Sequence, residues 1–128
     1  MADYLLELGI DEEDVKNIME FNRPYTDYDD YKKNIETLKI IECDDKEINN
    51  IIISNPNILI RSNDDIIKLI KKLRFYGFSN INILFDTNPF LLNKDDYEIE
   101  EYFNNKIKQG LSVSEIIDII EFDSYAMD

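Results

Sequence analysis

Histidine is missing from the chain. Its absence removes every triad, zinc site or acid–base pair that relies on an imidazole. Glycine is scarce too, three residues in 128, and none sits in a Gly-rich phosphate loop. Carboxylates are plentiful, but no spacing singles out two of them for acid–base work. "DYDDY" at 27–31 lacks the glycine and distal glutamate of a calcium loop. The chain is therefore read as non-enzymatic, with no cofactor and no metal. One cysteine, Cys43, cannot form an internal disulfide, which suits a reducing compartment; it is read as a small buried hydrophobe. No stretch nears the roughly 18 apolar residues of a membrane span. Met1 to Leu8 carries acids and no apolar run, so no signal peptide is expected and the expected location is cytoplasmic.

Positive charge is the other shortage. Fourteen Lys and Arg face 28 Asp and Glu, a formal net charge of −14. Phosphate backbones and anionic membranes repel such a chain at long range. Proline is also limited to three residues, while 44% of the chain is hydrophobic. That composition favours helices around an ordinary core over a turn-rich β sandwich.

What is present in abundance is repetition. Offset by 33 residues, Ser54-Asn55-Pro56 meets Thr87-Asn88-Pro89, Ile58-Leu59 meets Leu91-Leu92, Arg61 meets Lys94, and Asn49 meets Asn82. Gly77-Phe78-Ser79 meets Gly110-Leu111-Ser112, and a fainter copy opens at Leu8-Gly9-Ile10 and reaches Pro24. The copy opening at Asp44 lacks the glycine. A period of this length marks a stacked repeat, because one unit cannot bury its own apolar stripe.

Each unit carries the same punctuation. Asp11, Ser79 and Ser112 stand as N-caps, with Asp14 and Glu115 three residues on. A short apolar helix follows and stops before Pro24, Pro56 or Pro89. A brief apolar turn leads to a longer helix that ends at glycine. The spacing predicts helices over 12–21, 28–42, 46–54, 64–76, 80–87, 95–109 and 113–122. Gly9, Pro24, Pro56, Gly77, Pro89 and Gly110 define the repeat. Residues 1–128 are read as a single α-helical repeat domain, with units at about 9–43, 44–76 and 77–109 and a partial unit at 110–128.

The segments "LGIDEEDVKNIMEFNRP", "INNIIISNPNILIRSNDDIIKLIKKLRFYGFS" and "INILFDTNPFLLNKDDYEIEEYFNNKIKQGLS" resemble the mitochondrial transcription termination factor (mTERF) repeat. The resemblance implies an all-α, right-handed helical-repeat solenoid of about three helix pairs. It also implies nucleic-acid binding through basic residues, whereas this chain is acidic overall.

Charge is uneven along the chain. Residues 1–47 sum to −9, residues 48–84 to +3 and residues 85–128 to −8. The central island comprises Arg61, Lys68, Lys71, Lys72 and Arg74. It is read either as a strip for phosphate or an acidic partner, or as the solvated back of an amphipathic helix. The acidic runs at 11–14, 27–30, 44–45 and 95–101 are read as helix-start acids, or as a surface for a basic partner, even one that imitates a phosphate backbone. The eight tyrosines are expected to cover seams between helices. The leading function is a non-catalytic module that binds a protein with a basic surface. The alternative is nucleic-acid binding through the basic strip of the middle repeat. No membrane partner is expected.

Overall fold

Long stretches free of glycine and proline leave helices uninterrupted. In the computed structural model, which describes residues 1–22 and 30–127, they form eight α-helices, with no strand among the described residues. These are α1 (Ala2–Glu7), α2 (Glu12–Phe21), α3 (Tyr31–Ile40), α4 (Asp45–Ser54), α5 (Asn63–Tyr76), α6 (Ile81–Thr87), α7 (Asp96–Lys108) and α8 (Val113–Phe122). The brief apolar turns are 3-10 turns, Pro56–Leu59 and Pro89–Asn93. Pro24, Tyr25, Tyr28, most of the acidic run at 27–30 and the expected start of the helix at 28 lie outside the described residues.

Seven of these helices fall where the apolar period places them. Helix α1 does not; six residues carry too little period to read. Tertiary contacts hold it. Leu5 is fully buried, and the Tyr4 ring meets Tyr31 edge-on at 5.4 Å. The caps are partly redistributed. Ser112 and Glu115 form a reciprocal capping box, as their spacing suggests. Asp11 stands at the start of α2, yet its side chain makes no cap hydrogen bond. Ser79 is displaced from the cap of α6 by Asn80. A second full box, Asp44 with Glu47, opens α4.

The helices sort into two layers. Helix α3 packs on α5 and α5 on α7, while α2 packs on α4 and α4 on α6. Between the layers lie Ile48, Ile51 and Ile52 of α4, Ile66, Leu69 and Leu73 of α5, and Ile99 and Phe103 of α7, all buried. Each such side chain contributes about 1.5–3 kcal/mol relative to exposure. Tyr76 stacks flat on Phe103 at 3.8 Å across the α5–α7 seam, a place where tyrosine was expected; Tyr97 and Tyr125 are exposed instead.

Equivalent corners have equivalent backbones. Asn55 sits at φ −139°, ψ 76° and Asn88 at φ −131°, ψ 76°, away from the α region as a following proline requires. Their side chains are buried, like that of Asn22. Asn22 Nδ2 donates to the Pro56 carbonyl at 3.2 Å, and Asn55 Nδ2 to the Pro89 carbonyl at 3.0 Å. On the opposite edge, Asn49 Nδ2 donates to the Leu8 carbonyl at 2.9 Å and Asn82 Nδ2 to the Glu42 carbonyl at 3.5 Å. Each amide rail ties one helix pair to its neighbour.

The missing glycine at the second copy is explained by Glu42. Its φ is +73°, matching +88°, +110° and +95° at Gly9, Gly77 and Gly110. All four positions close their helix in the same way. The Glu42 N–H donates to the Lys39 carbonyl and the Cys43 N–H to the Leu38 carbonyl, both at 3.0 Å, and the three glycine sites repeat this pair. Cys43 thus occupies the apolar position held elsewhere by the buried Ile10 and Phe78 and the half-buried Leu111. A left-handed backbone costs a non-glycine residue about 1–2 kcal/mol, partly offset in glycine by its greater unfolded-state entropy. Glu42→Gly is therefore expected to stabilise the protein by about 1 kcal/mol in urea denaturation, whereas Gly110→Ala, with open space around its added methyl, destabilises it through the backbone alone.

Candidate interaction surfaces

Arg61 begins the basic island in sequence but does not join it in space. Its side chain is only 11% exposed. Nη1 donates to the Asn93 carbonyl at 3.0 Å; Nη2 donates to the Lys94 carbonyl at 2.7 Å and to Asp95 Oδ1 at 2.9 Å. The planar guanidinium fork fits such a set of convergent oxygens. Arg61 lies just after one 3-10 turn and grips the chain just after the next. Asn34 serves the preceding seam in the same spirit: buried on α3, it donates to the Ile58 and Arg61 carbonyls, each at 2.7 Å, and accepts from Asn63 Nδ2 at 3.0 Å. Asn55 and Asn93 exchange amide hydrogen bonds at 3.0 and 3.2 Å.

The remaining four cations lie on α5. Lys68, Lys71 and Arg74 are exposed. Lys72 is held back toward α7, with Nζ 3.8 Å from Glu100 and 5.6 Å from the Phe75 ring centroid. Asp96 borders the same shallow surface as Lys68, Lys71, Lys72 and Phe75. The island is thus three open cations with a partly neutralised fourth.

Charge is organised by layer. The short helices α2, α4, α6 and α8 carry ten carboxylates and only Lys16 and Lys46 as cations. The long helices α3, α5 and α7 carry nine cations and seven carboxylates. Reading charge along the chain mixes these faces, because each unit contributes one helix to each.

On the acidic layer, a groove of about 540 Å³ crosses the corners, lined among others by Asp14, Ile18, Phe21, Ile53 and Phe90. Among the described residues, no cluster of three His, Cys, Asp or Glu side chains is arranged to hold a metal ion, and no helix is long and apolar enough to cross a membrane.

Cys43 is buried. Burial pushes its thiol from 9.0 up to about 12, and Glu47, Asp86 and Asp44 add in the same direction. The unfolded thiol ionises first, so the folded state holds more protons between about pH 9 and 12. Its stabilising contribution is complete below that window and is lost as pH rises through it.

Three outcomes follow from this geometry. Arg61→Met should cost about 2 kcal/mol in chemical denaturation, because it strips a charged donor from three oxygens in a seam. At pH 9, native Cys43 should resist iodoacetamide while the urea-unfolded chain reacts readily, and Cys43→Ala should flatten the alkaline loss of stability.

Comparison with curated proteins finds no match to this chain. The sequence profile of the family described as mTERF matches residues 1–85, which span α1 through most of α6, include the Asn55-Pro56 corner and stop short of Asn88-Pro89. With the two-layer helix pairs and their recurring corners, this match establishes that the chain belongs to the mTERF family of helical-repeat proteins.

Proposed function

We propose that this chain is a non-catalytic binding module whose short-helix layer meets a protein with a basic surface. The observation that carries this reading is the segregation of charge: ten carboxylates against two cations on one layer. Glu12, Glu13 and Glu20 of α2 are exposed there, so their field is available to a partner. Opposite charge steers encounter and fixes register at such a surface. The same layer repels phosphate, which fits a regulator that competes with nucleic acid for a basic protein.

A second reading has its own observation. Lys68, Lys71 and Arg74 project from α5, in the less acidic layer. Nucleic-acid binding in the manner implied by the family resemblance would use them.

One titration separates the two. A lysine-rich DNA-binding protein is bound to a fluorescent duplex, and the chain is added; in parallel the chain is titrated against the duplex alone. The expected result is displacement of the duplex from the basic protein and no direct binding. Glu12→Gln, Glu13→Gln and Glu20→Gln together should weaken displacement by about three- to tenfold, since exposed charges contribute up to about 1 kcal/mol each. Direct duplex binding whose salt slope falls by about 3 when Lys68, Lys71 and Arg74 become Gln would establish the second reading instead.

A further inference from the structure

Exposed apolar side chains scattered singly are ordinary on a protein surface. Three that converge on one groove need a reason. Phe21 is 60% exposed, Ile53 42% and Phe90 54%, and all three line the groove of about 540 Å³ on the acidic layer. They come from α2, from α4 and from the 3-10 turn Pro89–Asn93, so the groove spans successive helix pairs. Asp14, Ile18 and Phe21 reach it from one face of α2 by their i, i+4, i+7 spacing.

The charge of the groove is one-sided. Among the described residues, Asp14 is the charged side chain that lines it and no Lys or Arg does. Helices α2 and α4 end beside it, at Phe21 and Ser54, with no basic residue in either last turn. Helix C-termini carry partial negative charge, which here is left uncompensated by the helices' own side chains. An apolar floor with a negative rim is complementary to a segment that presents large apolar side chains flanked by Lys or Arg. A second copy of the chain is a poor occupant: its net charge of −14 opposes approach to the same acidic layer.

We infer that this groove is the docking site for a basic amphipathic segment of a partner protein, whose apolar side chains seat between Phe21, Ile53 and Phe90 while its cations face Asp14 and the carbonyl ends of α2 and α4. The inference rests on the protein-binding reading above and locates its site. Apolar side chains at the centre supply most of the affinity in such a helix-in-groove contact, and the charged rim supplies orientation.

The test uses the full chain and two fluorescent probes of equal charge, a short amphipathic Lys/Leu peptide and an oligolysine, read by anisotropy. The amphipathic peptide should bind more tightly than oligolysine. The double variant Phe21→Ser, Phe90→Ser should weaken the amphipathic peptide about tenfold or more and leave oligolysine unchanged. Both side chains are exposed, so circular dichroism and thermal melting should confirm an intact fold. If oligolysine binds as tightly as the amphipathic peptide, or the double variant binds both like the parent, the groove is not the site, although the acidic layer still attracts cations. If neither peptide binds, the protein-binding reading falls as well. Displacement of the bound peptide by an oligothymidine would assign the groove to nucleic acid and overturn the inference.

Discussion

The proline corners at Pro56 and Pro89 create the same problem. The chain leaves a helix, turns through a 3-10 segment and enters another helix, and its carbonyls cannot all be satisfied locally. Stacking buries part of that backbone, so donors must come from the neighbouring helix pair. Asn22 and Asn55 meet the Pro56 and Pro89 carbonyls, Asn34 meets those of Ile58 and Arg61, and Arg61 meets those of Asn93 and Lys94. Apolar burial drives the stack together; these directional bonds set how far one pair is displaced along the next. Isoleucine and leucine stripes alone would tolerate sliding.

That division explains why the repeat is visible as a pattern of residue types. The apolar positions need only be large and suitably spaced. The corner positions need particular chemistry: an amide with two donors, a proline that stops the short helix, and a backbone able to turn left-handed at the end of the long one. Where one of these is replaced, the geometry persists because its neighbours over-determine it. Glu42 adopts a glycine's conformation because the Cys43 side chain is buried in the core and the flanking hydrogen bonds close only in that conformation.

Layering also turns a sequence alternation into a surface property. A short helix and a long helix alternate along the chain, and each goes to its own side. Carboxylates concentrated on the short helices thereby become one acidic face, and lysines concentrated on α3 and α5 become part of the other. Summing charge over consecutive residues gives a cationic centre between two anionic ends; summing it over layers gives two unlike faces. The second description governs what a partner meets, since electrostatic approach responds to position in space.

Helix positions were legible because a period of 3.6 with a proline or glycine at its ends is a local signal, carried by residues such as Ile48, Ile51 and Ile52 or Ile66, Ile70 and Leu73. The amide alignment of Asn49 with Asn82 was legible too, as identity at a fixed offset. Three things were decided only by tertiary structure. Helix α1 is too short to stand without Leu5 in the core and Tyr4 on Tyr31. Arg61 reads as a surface cation until the next corner is placed beside it, whereupon three oxygens converge on its guanidinium. The groove of Phe21, Ile53 and Phe90 joins residues separated by more than thirty positions, and their periodicity does not distinguish a side chain turned into the core from one left at a seam. Local sequence determines which segments coil and where they stop; proximity across the stack determines which polar and apolar groups are consumed inside and which remain to meet another molecule.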